Sequence, residues 1–70
     1  MIMNTYNLFE SSHEDTILYH AIAKNENQVI ELANEAGIDI EGLTIELDKK
    51  NVKDELGRSY EPSIKDAQVY

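Results

Sequence analysis

Cysteine and tryptophan are absent from this chain, which contains one proline and three glycines. Without cysteine it can form neither a disulfide nor a thiolate metal site, and we expect it in a reducing compartment, the cytoplasm. No apolar run approaches the roughly 20 residues that cross a bilayer. Residues 1–4 place no base before an apolar stretch, so we also expect no signal peptide.

Basic residues are scarce, and most of them lie near the end of the sequence. Residues 1–48 carry ten carboxylates and one base, a net charge of −9, whereas residues 49–70 carry a net charge of +1. An acidic body repels nucleic acid and anionic membranes and attracts basic protein surfaces. We therefore predict a basic protein as the partner, with no direct contact to nucleic acid or membrane. The basic segment after residue 48 either folds back over this body or pairs with the acidic face of a neighbouring copy.

Three segments are predicted to be strands. Ile2–Phe9 and Thr16–Ala23 are rich in β-branched and aromatic residues, and the polar break between them indicates an antiparallel hairpin. Leu43–Asp48 alternates strictly between apolar and polar residues, which is typical of a half-buried strand. The pattern fades after this segment, and residues 60–70 are predicted to form either an edge strand or an extended tail.

One helix is predicted over Glu26–Ala36. Asn25 is a favourable N-cap, and Gln28 is placed to complete a capping box. Gly37 is suited to the left-handed position that ends a helix, with Ile38 as the apolar residue after it. The apolar residues recur at the i, i+3, i+4, i+7 spacing that places them on one buried face of a helix. These residues are Val29, Leu32, Ala33 and Ala36.

These elements predict an α+β fold, in which a small antiparallel or mixed sheet packs against one helix in the order β-β-α-β. Seventy residues suffice for one core, so we assign residues 1–59 to a single domain and residues 60–70 to the edge strand or tail.

The sequence offers little for catalysis, and we predict that the protein is not an enzyme. Neither His13, in a polar turn, nor His20, in the second strand, has an evident set of partners for a metal or a reaction. No serine lies in a nucleophile-elbow pattern, and the three glycines are isolated. We predict no metal site and no cofactor.

The acidic residues are the better lead to function. Carboxylates of the helix, the following loop and the third strand are predicted to form a partner-binding acidic surface, comprising Glu31, Glu35, Asp39, Glu41, Glu46 and Asp48. Such a surface can imitate the phosphates of a nucleic acid and occupy the groove of a basic protein. We predict a binding module that acts as an inhibitor or nucleic-acid mimic, a role common among small acidic products of phages and mobile elements.

An alternative hypothesis is self-association through the sheet. One helix cannot cover both faces of the hairpin, and an apolar face left open usually marks an interface. The candidate residues are Tyr6, Leu8, Phe9 and Tyr19. This hypothesis predicts a homodimer with a structural or assembly role.

Overall fold

The computed structural model describes residues 2–67, which form a four-stranded sheet and one helix. The elements are β1 (Asn4–Glu10), β2 (Ile17–Ala23), α1 (Glu26–Glu35), β3 (Leu43–Lys49) and β4 (Ser63–Asp66). The predicted α+β fold is confirmed, and each of the four predicted elements is found within two residues of its predicted bounds. Residues 60–70 were predicted to form an edge strand or a tail, and Ser63–Asp66 form the edge strand β4. Residues 68–70 lie outside the described range.

The strands lie in the order β3-β1-β2-β4, and every neighbouring pair is antiparallel, so the sheet is not mixed. The β1–β2 hairpin occupies the centre, where Leu8 is opposite Tyr19 of β2 and Ile45 of β3. Helix α1 runs back along β2, and the loop of residues 36–42 then carries the chain past β1 to the far edge, where β3 begins. As a result, the end of α1, the start of β3 and the β1–β2 turn meet at one end of the sheet.

The start of α1 is fixed by the side chain of Asn25. Its Oδ1 accepts the backbone N–H of Gln28 at 2.9 Å, which satisfies one of the free donors of the first turn. The side chain of Gln28 also reaches back, but its Oε1 accepts the N–H of Lys24 at 2.8 Å rather than that of Asn25. The cap therefore closes one residue earlier than the predicted capping box.

The end of α1 is a Schellman motif, with Gly37 in the predicted left-handed position. Gly37 has a φ of +75°, in the left-handed region that glycine enters without steric cost. The N–H of Gly37 donates to Asn34 O at 3.2 Å, and the N–H of Ile38 donates to Ala33 O at 2.8 Å. The chain thus turns sharply away from the helix and leads into the loop before β3.

The core lies between α1 and one face of the sheet. Leu8 and Val29 are completely buried, and Leu43, Ile45 and Ile64 pack around them from the edge strands. The helix lies closest to β2 and β4, so it covers the β3 side of this face less fully. In residues 2–67, no helix is long and apolar enough to cross a membrane.

The other face of the sheet is polar along a row that crosses all four strands. Asn7 is opposite both Glu46 and His20, and His20 is opposite Lys65. These residues alternate with the core positions of their strands and therefore point away from α1. The Nδ1 atom of His20 lies 2.8 Å from Oδ1 of Asn7, which joins the two central strands on this face.

Candidate functional site

The fold converts the uneven charge of the sequence into an acidic end. Six carboxylates lie at the end of the sheet where the β1–β2 turn, the end of α1 and the loop before β3 meet. Glu10, Glu14 and Asp15 belong to the end of β1 and the turn, Glu35 is the last residue of α1, and Asp39 and Glu41 lie in the loop. Neither residues 10–16 nor residues 35–42 contain a lysine or an arginine. His13 is the one basic side chain in these two segments, and its Nδ1 lies 3.1 Å from Oε2 of Glu10.

Most lysines and arginines lie towards the opposite end of the sheet. Lys49 is opposite Thr5 at the start of β1, and the following segment crosses beside Met3, whose carbonyl oxygen accepts the N–H of Val52 at 2.8 Å. Lys24 follows the end of β2 at the same place. Lys49 and the segment around Val52 therefore lie away from the acidic end, whereas β4 runs back along β2 and Ala67 donates its N–H to Leu18 O at 2.9 Å.

A groove of about 760 Å³ opens at the acidic end, between the hairpin turn and the end of α1. Three carboxylates line it, those of Glu10, Asp39 and Glu41. Apolar side chains also line it, and they belong to Leu18, Tyr19, Ile38 and Leu43. A surface with apolar contacts beside carboxylates suits a cationic side chain with an aliphatic stem, such as lysine or arginine.

Backbone and side-chain hydrogen bonds hold the two walls of this groove together. Ser11 donates its N–H to Gly42 O at 3.4 Å, and the hydroxyls of Ser11 and Thr44 lie 3.0 Å apart. In the second wall, Asp39 Oδ1 accepts the backbone N–H of Glu41 at 2.9 Å. The carboxylates of the loop are thus presented by an ordered turn.

The backbone of α1 adds to the negative potential of the groove. The carboxyl end of a helix carries a partial negative charge, and cations near it are favourable. The last turn of α1 contains no basic residue, while Ala36 and Gly37 at this end line the groove. The carboxyl end of the helix and the carboxylates therefore both favour a positively charged ligand.

The structure separates the six residues of the predicted acidic surface into two groups. Asp39 and Glu41 line the groove, and Glu35 is the last residue of the adjoining helix, with Glu31 exposed one turn earlier. The other two, Glu46 and Asp48, lie on the polar face of β3, across the sheet from α1. Asp48 Oδ2 accepts the hydroxyl of Thr5 at 3.3 Å on that side.

The four residues of the predicted apolar interface are largely covered within one chain. Tyr6 and Leu8 belong to the core beneath α1. Phe9 points to the other face and is still only 7% exposed. Tyr19 is half-buried against the core and lines the groove. Little of Tyr6, Leu8 or Phe9 is therefore available to a second copy.

Sequence reasoning did not single out Glu10, Leu18 or Ile38 as site residues, although all three line the groove. A usable signal was present in the order of elements. A hairpin followed by a returning helix brings the hairpin turn and the end of the helix to the same end of the sheet. The charges of residues 10–15 and 35–41 could have been combined on that basis.

A second ordered turn lies outside the groove, at residues 53–59. Asp54 Oδ1 accepts the backbone N–H groups of Leu56 and Arg58, each at 2.9 Å, and Oδ2 accepts Arg58 Nε at 3.0 Å. The hydrogen bond from the Arg58 backbone is the main cause that lowers the pKa of Asp54 below its ordinary value; desolvation opposes it, and the hydrogen bonds from the Leu56 backbone and the Arg58 side chain reinforce it. The turn presents Leu56, which is 76% exposed.

Within residues 2–67, no three histidine, aspartate or glutamate side chains are grouped closely enough to hold a metal ion. Comparisons with protein-family models, with curated proteins and with solved structures gave no match to this chain.

Proposed function

We propose that this protein is a non-catalytic binding module that docks its acidic end on a basic protein. The observation that carries the proposal is the groove at that end, where Glu10, Asp39 and Glu41 border apolar side chains beside the carboxyl end of α1. The groove offers a place for an aliphatic stem and negative charge for its cationic head.

The class of partner follows from the charge of the whole molecule. A net charge of −8 on 70 residues speeds the approach of a basic surface and disfavours that of nucleic acid. Proteins that bind nucleic acid display the basic surfaces that an acidic end would fit. We accordingly propose that this protein inhibits such a nucleic-acid-binding protein by imitating its nucleic acid. We further propose that it acts in the cytoplasm and is encoded by a phage or mobile element.

The experiment is a binding titration with a blocked oligolysine as the probe, over a range of NaCl concentrations. We expect the dissociation constant to rise steeply with salt, because salt screens the attraction and the release of bound counterions gains less free energy when the bulk salt concentration is high. The double variant Asp39→Asn/Glu41→Gln should bind about tenfold more weakly, from two charge-assisted contacts of roughly 0.7 kcal/mol each.

The matched control is Glu55→Gln/Glu61→Gln, which changes the net charge by the same amount away from the groove. It should bind the probe nearly as the unaltered protein does. Equal losses for both double variants would show that net charge alone attracts the probe, and the docking role of the groove would be rejected. A separate experiment tests mimicry directly, by measuring whether the protein displaces duplex DNA from a basic DNA-binding protein.

Self-association remains the second candidate function. It is favoured by the outer edge of β3, beside which residues 2–67 place no strand, and not by the aromatic residues, which are largely covered. Light scattering after size-exclusion chromatography, at low and high salt, tests it. A dimer that persists at high salt would favour an assembly role, and a monomer at all concentrations would reject it.

A further inference from the structure

Strand β3 is a long edge strand with little to prevent another strand from pairing with it. It has seven residues, and in the described part of the chain its outer side has no neighbouring strand. The other edge, β4, has only four residues and begins directly after Pro62. Proteins commonly protect edges by short length, proline, bulges or charged side chains. The charges projecting from the polar face of β3 are the carboxylates of Glu46 and Asp48, which oppose an acidic strand but not a basic one. The bulge of β3 lies at its far end, opposite Thr5 and Tyr6, and leaves the first five residues regular.

The two sides of β3 differ in chemistry. On the side of the core, Leu43 and Ile45 are half-buried and Leu47 is 38% exposed, because α1 lies over β2 and β4 instead. On the polar face, Glu46 and Asp48 project beside the same edge. A strand added here would contact apolar side chains on one face and carboxylates on the other.

A second copy of this chain fits the fully paired edge less well than a basic segment does. If β3 paired with itself antiparallel over all seven residues, Glu46 would stand directly opposite Glu46 of the second copy. Like charges directly opposite each other destabilise a sheet. Asp48 of both copies would lie on the same face, and each copy carries a net charge of −8.

We infer that β3 takes up an extended segment of a basic partner protein as a fifth strand of the sheet. Lysine or arginine side chains of the segment would lie beside Glu46 and Asp48, and apolar side chains would lie beside Ile45 and Leu47. Main-chain hydrogen bonds supply affinity in this mode of recognition, and alternate side chains supply specificity. The inference rests on the proposed function, since it names how part of the basic partner is bound. It also uses the two carboxylates that the groove leaves out.

The test uses the full chain and a blocked peptide of alternating lysine and valine, as long as β3. Amide hydrogen exchange and NMR shift changes are measured with and without the peptide. We expect slower exchange at alternate amides of residues 43–49, and no binding of a peptide of alternating glutamate and valine. Glu46→Gln should weaken binding about two- to fivefold, the range of one cross-strand charge pair.

A charge at the edge supplies a second variant. Leu47→Lys places a cation where the apolar side chain of the added strand would lie, and we expect binding to fall below detection. Leu56→Lys is the matched control, because it adds the same charge at an exposed leucine outside the sheet. It should bind the peptide as the unaltered chain does. Circular dichroism and the amide spectrum of β1 and β2 show whether each variant is folded.

Three results would overturn the inference, and they bear differently on the proposed function. Shift changes confined to residues 10–12 and 36–43, with unchanged exchange in β3, would reject the added strand but support the groove. Protection of β3 in the protein alone, rising with its concentration, would assign the edge to a second copy. Absence of binding by both oligolysine and the alternating peptide would reject the inference and the proposed function together.

Discussion

Ile38 donates its backbone N–H to the carbonyl oxygen of Ala33 at 2.8 Å, and this bond fixes where α1 ends and where the groove begins. The bond requires Gly37 to adopt its φ of +75°. A residue with a Cβ atom pays about 1–2 kcal/mol in that region. No atom lies within 4 Å of a Cβ built at this position, so the cost is conformational and not a clash.

We therefore expect Gly37→Ala to lower the free energy of unfolding by about 1–2 kcal/mol in a urea titration. Gly37→Asn should lose less, because asparagine enters the left-handed region more readily. Equal stability of Gly37→Ala and the unaltered chain would mean that the helix does not end in this motif in solution.

The centre of β1 should be the most sensitive position of the fold. Leu8 is completely buried, opposite Tyr19 and Ile45. Leu8→Ala should lower the free energy of unfolding by about 2–5 kcal/mol, from lost burial and the cavity left behind. Because small domains are stabilised by only about 5–15 kcal/mol, this loss is a large fraction of the total, and a urea titration followed by circular dichroism measures it. Leu56→Ala, at a 76% exposed leucine, should stay within about 0.5 kcal/mol of the unaltered chain.

The local elements were predictable because neighbouring residues determine them. The cap at Asn25 and the glycine at position 37 define α1 without reference to the sheet. The alternation of Leu43–Asp48 likewise defines β3 and its buried side. In contrast, β4 has four residues and too short a pattern, so it forms because β2 offers an edge. Such pairing is non-local, and no pattern within residues 60–70 reports it.

The acidic surface shows the limit of residue-by-residue reasoning. Glu31 and Glu46 are both exposed, as predicted, but one lies on the helix and the other on the polar face of the sheet. In a two-layer fold these surfaces point in opposite directions, so the two carboxylates do not belong to one face. The groove depends on the return of α1 along β2 and on the loop that then crosses β1 to reach β3, which places Asp39 and Glu41 beside Glu10.

The turn at residues 53–59 should depend on pH through Asp54. Its carboxylate accepts hydrogen bonds from the backbone N–H groups of Arg58 and Leu56, and these lower its pKa below the ordinary value of an aspartate. Because the pKa of Asp54 is lower in the folded state than in the unfolded state, the ionised carboxylate stabilises the turn at pH values above its unfolded-state pKa. This stabilisation is lost as the pH falls through the folded-state pKa. The amide signals of Leu56 and Arg58 should shift with Asp54 in an NMR titration below pH 4.

Asp54→Ala removes the acceptor, so amide exchange at Leu56 and Arg58 should become faster at neutral pH. The amides of β1 and β2 serve as the internal control, and their exchange should not change. Unchanged exchange at both turn positions would show that the carboxylate does not hold the turn.

The two ends of α1 supply a paired test of the charge arrangement at the site. Glu26 lies in the first turn, where a carboxylate is favourable, and Glu35 is the last residue, where it is unfavourable. Glu26→Gln should lower the free energy of unfolding by about 0.3–1 kcal/mol, and Glu35→Gln should raise it by a similar amount. Both changes should shrink at high salt, because exposed charges are screened. Thermal or urea unfolding at low and high NaCl measures the pair.

The same pair separates a binding surface from a merely solubilising one. Both variants carry the same net charge, but Glu35 adjoins the groove, whereas Glu26 lies at the other end of α1. If the acidic end binds a basic partner, Glu35→Gln should be more stable and yet bind oligolysine about two- to threefold more weakly, from a loss of roughly 0.5 kcal/mol. Glu26→Gln should be less stable and bind as before. A carboxylate that lowers stability but raises affinity fits selection for binding, because solubility alone is served equally by an acid at either end. Equal affinity of the two variants would leave Glu35 without a part in binding.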